Sequence, residues 1–231
     1  MISMGVMTND PAVIRSPSAS VEDYVKAVWE VAGSGAASTK DVAERLSIAP
    51  PSVTNMFVRL QEMGLVEYER YRGASLTRRG RGEALRLIRR HRLIETFLLE
   101  HLGYSWREVH EEAERLEHAV SDGFTERLAE FLGHPDQDPH GDPIPAADGS
   151  FAPDDSFPLY EAAAGQRVRI SKVGDDPSTL EYLGEHGLVP GRLLSVREVR
   201  DLDGVVTVED ADGESHALGE SLARAVFVRG E

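Results

Sequence analysis

The sequence predicts a mainly α chain with a β-rich domain at its C-terminal end. Three observations predict it. From Ser20 to Leu132 apolar residues recur at helical spacing, broken by one short alternating stretch. From Gly133 to Gly165 six prolines, Pro135, Pro139, Pro143, Pro145, Pro153 and Pro158, accompany many Asp and Gly residues. From Arg167 to Arg229 apolar residues alternate with period two.

The elements follow in order. Residues 1–19 lack an apolar signal core and read as a flexible leader. Ser20-Val21-Glu22-Asp23 resembles a capping box that opens a helix to about Ala32, stopped by Gly33-Ser34-Gly35. Thr39 can cap a second helix, Lys40 to Leu46. Pro50-Pro51-Ser52 starts a third that runs to Met63, because a first-turn proline has no intrahelical N–H bond to lose. Gly64 is its natural C-cap. Leu65 to Thr77 reads as a β-hairpin about an Arg72-Gly73 turn. Long helices are expected over Arg81–His101 and Trp106–Leu132. The segment 136–165 reads as a Pro-rich linker. Strands are expected at 167–170, 193–199, 205–208 and 223–228, with a helix over Ser178–His186, and a small five-strand barrel is their natural closure.

Composition narrows the function. The 231 residues contain no cysteine, which excludes disulfides, thiolate metal sites and cysteine nucleophiles and fits a reducing, cytoplasmic setting. No apolar run approaches the ~18 residues of a membrane span. Net charge is −15 but unevenly spread: residues 38–92 hold 12 Lys/Arg against 6 Asp/Glu, whereas residues 136–231 hold 8 against 20. A basic segment inside an acidic chain points to a local anionic partner.

Two helices joined by a short turn and followed by a hairpin make a winged helix-turn-helix, and the second helix would enter the major groove of double-stranded DNA by its N-terminal end. That end is Pro51-Ser52-Val53-Thr54-Asn55. Pro51 and Ser52 can lie against thymine methyls, and Asn55 can pair with adenine. Thr39 and Thr54 offer hydroxyls, and Arg59, Arg70, Arg72, Arg78 and Arg79 would address phosphates. Taken singly, Asn55 and Arg59 are ordinary solvated helix residues. The order of elements is what carries the reading.

A second constellation lies in Val109-His110-Glu111-Glu112-Ala113-Glu114-Arg115-Leu116-Glu117-His118. With His110 at zero on a helical wheel, Glu114 falls at about 40°, Glu117 at about −20° and His118 at about 80°. The four share a stripe beside the apolar stripe of Val109, Ala113 and Leu116. Carboxylates and imidazoles crowded along a buried face are costly unless a cation joins them, and a divalent metal answers that need. The plainer alternative is a solvated acidic face with incidental histidines.

Taken together, Ser20 to Arg229 resembles the DtxR/MntR family of metal-dependent (iron/manganese) transcriptional repressors. The resemblance rests on Pro-Ser-Val-Thr-Asn at 51–55, Gly-Leu-Val at 64–66, Arg90-His91-Arg92-Leu93, Val109 to Ala113, Glu117-His118, Ser121-Asp122 and Gly141-Asp142-Pro143-Ile144-Pro145. It implies a winged helix-turn-helix over 20–90, a helical dimerisation and metal-binding domain over 91–135, and an SH3-like (FeoA-like) domain over 166–231. It also implies a homodimer on a palindromic operator, with repression of metal-uptake genes. The implied primary ligands are Asp23, Glu114, Glu117 and His118; the implied ancillary ligands are His91, Glu95 and His110, giving two sites per subunit. Aspartate and glutamate at positions 23 and 114 match manganese-type members, where iron-type members carry methionine and cysteine. An oxygen-rich, sulfur-free set suits Mn²⁺, with Fe²⁺ as the alternative. Two departures stand out: Lys26 occupies a position where manganese-type members carry a second carboxylate, and Lys172 lies near where iron-type members send ligands from the SH3-like domain, leaving Asp175 or Asp176 as substitutes. By the resemblance, a metal held by Asp23 and the metal helix would couple metal binding to the spacing of two recognition helices.

An enzyme is not expected. His110-Glu111 is followed at i+4 by Glu114 rather than histidine, and no nucleophile elbow or phosphate loop is present. The rival is a metal-independent winged-helix regulator that responds to a small molecule, which leaves the carboxylate–histidine stripe unexplained.

Overall fold

Punctuation by Ser, Pro and Gly delimits the N-terminal elements. The computed structural model describes residues 19–33, 35–151, 153–200 and 204–231; the expected leader, up to residue 18, lies outside them, as do Ser34 and Asp203 of two expected turns. Helix α1 spans Ala19–Ala32, so Ser20 sits inside the first turn rather than ahead of it. Helix α2 spans Thr39–Arg45, and its cap is Ser38, not Thr39: the Ser38 hydroxyl accepts the Asp41 N–H at 3.1 Å from an extended backbone. Helix α3 spans Pro50–Glu62 with its prolines in the first turn. Strands β1 (Val66–Glu69) and β2 (Gly73–Leu76) form the antiparallel hairpin. Its turn runs through Tyr71 at φ 71°, not through Arg72-Gly73 alone. Helix α4 then runs Arg78–Leu102, starting three residues earlier than the sequence suggested.

The described residues divide into two compact units, one ending at Ala84 and one running Leu85–Glu231, with the boundary inside α4. The first unit is built on Val21, Val25 and Val28 of α1, Val42 and Ala43 of α2, and Val53, Phe57 and Leu60 of α3, closed by Leu65 and Ala74 of the hairpin. The Phe57 ring meets Tyr68 of β1 at 5.3 Å between centroids, which roots the hairpin on α3. Thr77 and Gly80 lock the hairpin to α4. The Thr77 hydroxyl donates to the Gly64 carbonyl at 2.8 Å, and a Cβ on Gly80 would lie 1.9 Å from the Leu65 carbonyl oxygen.

In the second unit, α4 packs through Leu93, Ile94 and Leu98 against Val109 and Ala113 of α5 (Trp106–Glu117) and Leu128 and Ala129 of α6 (Asp122–Phe131). The sequence predicted one helix over 106–132. The chain breaks it, because His118 is the C-cap of α5 and the Ser121 hydroxyl accepts the Phe124 N–H at 3.2 Å to start α6. The Pro-rich segment carries little regular structure, yet Asp138, His140 and Ile144 are buried in it.

The remainder is a six-stranded antiparallel sheet in the order β3-β8-β4-β5-β6-β7. Its strands are β3 (Phe157–Pro158), β4 (Arg167–Val173), β5 (Leu193–Arg200), β6 (Val205–Asp210), β7 (Ser215–Leu218) and β8 (Val226–Gly230). Among the described residues no pairing joins β7 to β3, so the expected five-strand barrel is instead an open sheet with bulges near Ser171 and Arg197. Helix α7 (Pro177–Glu185) covers its core with Leu180 and Leu183. The expected strand 223–228 begins late, since residues 220–225 form helix α8 (Glu220–Ala225). Strand β7 escaped the sequence reading because it has only four residues and one of its two buried side chains is the polar His216.

The β6–β7 turn is held by Asp210. One carboxylate oxygen accepts the N–H groups of Asp212 and Glu214 at 2.9 and 3.0 Å, and the other accepts Arg192 at 2.7 Å. The Arg192 guanidinium holds the Asp210 carboxyl well below the usual carboxylate range. A depressed carboxyl stabilises the fold above its unfolded pKa of about 4, and that stabilisation fades as the pH drops below it. Asp210→Asn should therefore lower stability at pH 7, with the gap to wild type closing as urea melts are taken below about pH 4. Gly80→Ala should destabilise the first unit by at least about 1–3 kcal/mol, as overpacking against a backbone carbonyl does, read from its thermal midpoint.

Candidate metal centre and DNA-facing surface

Helix α4 places His91 and Glu95 one turn apart on the face that meets α5, and the helical period of α5 brings His110, Glu114 and Glu117 to the same seam. His91 is the junction. Its Nδ1 meets a Glu117 carboxylate oxygen at 2.5 Å, and its Nε2 meets Glu95 Oε1 at 2.9 Å and His110 Nδ1 at 3.2 Å. His110 Nδ1 also lies 3.1 Å from Glu95 and its Nε2 3.8 Å from Glu114. His118 Nε2 lies 3.5 Å from Glu117. Glu117 is 0% exposed, so the carboxylate at the C-terminal end of an amphipathic helix has been taken fully out of water. The grouping cuts across the implied sets: Glu114 stands with His91 and His110, all three offering ligand atoms within 4.8 Å of one another.

The sequence reading missed two residues. Asp138 and His140, in the Pro-rich segment, converge on Glu95, and one ligand atom from each of the three lies within 4.8 Å of the others. Asp138 Oδ1 accepts the N–H groups of His140 and Asp142, both at 2.9 Å, folding the segment into a tight loop. The loop is pinned to β4: the His140 carbonyl accepts the Val173 N–H at 2.9 Å, and Gly141, at φ 88°, has no room for a Cβ, which would lie 2.1 Å from the Ser171 carbonyl. His140 is stacked edge-on against Trp106 at 5.2 Å, and its Nε2 is buried without a hydrogen-bond partner among the described residues. The available signal was Asp138-Pro139-His140-Gly141, two ligand-type side chains two residues apart beside turn formers.

The electrostatics are those of a buried site short of positive charge. Burial pushes the Asp138 carboxyl up to about 8, aided by the Glu95 carboxylate beside it; Arg92, 3.5 Å away, offsets part of this. Burial also works against ionised Glu95, but His91, His110 and His140 hold its carboxyl well below the usual range. The His140 imidazole is pushed down by burial. Asp175 contributes negative charge near His140, whereas Asp176 is committed to capping α7, where it accepts the Thr179 N–H at 2.9 Å. Lys172 is paired with Asp154 at 2.8 Å. Asp23 lies half-buried on α1 in the first unit, with Lys26 buried one turn on.

On α3 the apolar face buries Val53, Phe57 and Leu60 and leaves Pro51, Ser52, Asn55 and Arg59 exposed together. Arg70 and Arg72 are exposed at the hairpin turn, Arg72 paired with Glu69 at 3.2 Å. Thr54 is half-buried and its hydroxyl donates back to the Pro50 carbonyl at 3.3 Å, and Thr39 is half-buried in the first turn of α2. Arg79 is bonded to the Met63 carbonyl at 3.0 Å, a use within the fold.

Comparison with known proteins finds matches over most of the chain. Residues 18–74 match the model of the iron dependent repressor N-terminal DNA binding domain, residues 77–146 that of the iron dependent repressor metal binding and dimerisation domain, and residues 157–230 that of the FeoA domain. The iron-dependent repressor IdeR of Mycobacterium leprae is 30% identical over 90% of this chain and 96% of its own length. The chain belongs to the DtxR/MntR family of metal-dependent repressors. The HTH-type transcriptional regulator MntR of Lysinibacillus sphaericus is 35% identical over 53% of this chain and 88% of its own. Among solved structures, a manganese-dependent transcriptional repressor in complex with manganese superposes with a TM-score of 0.85 at 38% identity, covering 91% of this chain and all of that one. ScaR with bound Zn²⁺ superposes with a TM-score of 0.78 at 35% identity over 90% of this chain and 98% of that one.

A carboxyl whose pKa is raised on folding costs stability as pH climbs from its unfolded value to its folded one. In chelator, the contribution of Asp138 to unfolding free energy should therefore fall between about pH 4 and pH 8. Asp138→Asn should flatten that slope in urea melts. An unchanged slope would mean that Asp138 is not the group responsible.

Proposed function

We propose that this protein is a metal-activated repressor that binds a palindromic operator as a homodimer and answers to Mn²⁺, with Fe²⁺ as the alternative, in the cytoplasm. The observation that carries the reading is the buried carboxylate–histidine net about His91, in a family of metal-dependent repressors. Its donors are carboxylate oxygens and imidazole nitrogens with no sulfur, the set that suits Mn²⁺ and Fe²⁺. The residues present suit a cation: Glu95, Glu117 and Asp138 are all buried, and His140 Nε2, without a partner among the described residues, has the capacity for one more.

Two sites per subunit are proposed. The primary set is Asp23, Glu114, Glu117 and His118, in which Asp23 rests on the family resemblance. The ancillary set is His91, Glu95 and His110, to which we add Asp138 and His140. When bound, the metal supplies the positive charge that this seam lacks. The chain's own residues do the rest. Arg90 donates to the Glu117 carbonyl at 2.8 Å and to Asp122 at 2.9 Å, holding the α5–α6 junction on α4. Arg92 donates to the Pro143 carbonyl at 2.5 Å, holding the Asp138 loop. The homodimer reading is supported by the exposed Leu102, Phe124 and Phe131 on α4 and α6, within the matched dimerisation domain. No helix among the described residues is long and apolar enough to cross a membrane.

For DNA, exposed Pro51, Ser52 and Asn55 are proposed to meet base edges, and Arg59, Arg70 and Arg72 to meet phosphates. Thr39 and Thr54 are proposed as supporting contacts. The test is operator binding in chelator and then in Mn²⁺, Fe²⁺ or Zn²⁺ at fixed salt. Binding should appear with Mn²⁺ or Fe²⁺ and vanish in chelator. Asp23→Ala and Glu117→Ala should each stay folded and lose at least about tenfold, about 1.4 kcal/mol, of the metal-stimulated affinity. Equal binding in chelator would favour the rival reading, a metal-independent winged-helix regulator.

A further inference from the structure

Tyr71 sits at the apex of the hairpin and is 92% exposed. An exposed aromatic is ordinary on its own. Its backbone is not: φ is 71°, the left-handed region that a bulky side chain enters at a cost and that glycine or asparagine serves better. The turn therefore carries strain in order to present a ring that the first unit does not bury. The Arg70 guanidinium stacks over that ring at 5.1 Å, while the guanidinium of the next residue, Arg72, is paired with Glu69. The platform beneath is rigid. Tyr68 packs on Phe57 of α3, and Ala74 pairs with Ala37 through two backbone hydrogen bonds of 2.8 and 2.9 Å. Tyr71 thus projects from a wing fixed to the recognition helix.

We propose that Tyr71, with Arg70 stacked on it, is a minor-groove contact that positions the wing on duplex DNA. This rests on the repressor reading above. With α3 in the major groove, a wing reaching past the neighbouring phosphate strand meets the adjacent minor groove. A narrow minor groove has enhanced negative potential, which favours the Arg70 cation at its phosphate rim, where it holds the ring. Its sugar walls are apolar and suit the flat face of the ring. Its floor presents the adenine N3 and thymine O2 acceptors, toward which a phenol O–H can donate.

The probe is the duplex that wild-type protein selects from a random library in Mn²⁺. Tyr71→Gly relieves the backbone strain, so its thermal midpoint without DNA should rise while its affinity for that duplex falls about tenfold, the scale of truncating one interface anchor. The slope of affinity against salt should stay unchanged, because no charge is lost. Hydroxyl-radical protection of the minor groove flanking each half-site should disappear. Affinity within about twofold of wild type, or weaker affinity with full flanking protection, would overturn the inference while leaving the repressor reading intact. If wild type selects no duplex in Mn²⁺, the repressor reading falls and this inference with it.

Discussion

The contact between His91 and Glu117 is the constraint that sets the geometry of the α4–α5 seam. It ties α4 to α5 through a carboxylate that has lost all of its water. Burying an ionised carboxylate is costly unless partners compensate it. His91 does so on one side, and through its other nitrogen it extends the same net to Glu95 and His110. The apolar contacts of Leu93, Ile94, Val109 and Ala113 around it set the helix separation at which those bonds form. The polar net and the apolar core therefore share one seam, the core setting the helix separation and the net fixing which polar groups meet across it.

The extension of that net into the Pro-rich segment changes how the segment is understood. A stretch with so many prolines and aspartates suggests a solvated tether. Here Asp138 turns the backbone on itself, Gly141 lets it approach β4, and Arg92 holds the Pro143 carbonyl. The segment is committed to the site because its side chains complete a charged cluster rather than because it forms a helix or strand. In a family of metal-dependent repressors we read that cluster as a metal site, since one of its imidazole nitrogens, His140 Nε2, is buried with no hydrogen-bond partner among the described residues.

The first unit is built differently. Among its described charged residues only Lys26 is buried, and the surface it offers a partner depends on which residues the core leaves exposed. Val53, Phe57 and Leu60 turn inward, and this alone presents Pro51, Ser52, Asn55 and Arg59 on one outward face. The hairpin repeats the logic, with Tyr68 drawn onto Phe57 and Arg70, Tyr71 and Arg72 left at the tip. Arg79 shows the limit of reading charge from sequence. It belongs to the basic segment by composition, yet its guanidinium is bonded to the Met63 carbonyl and serves the fold.

Much of the architecture was determined by local sequence. Pro50-Pro51, the helical periods of α3 and α4, and the alternation in β5 and β6 act through contacts a few residues apart, so a single chain reveals them. The ligand-type residues of α4 and α5 were legible for the same reason, since i, i+4 spacing forces them to share a face. Tertiary structure decided the rest. It chose Ser38 over Thr39 as a cap, broke the expected long helix at His118, turned the expected strand at 223–225 into helix, and left the sheet open rather than closed. It also brought Asp138 and His140 to Glu95 across more than forty residues. Those outcomes depend on which distant groups fill each hydrogen bond and each cavity. No local period encodes that competition.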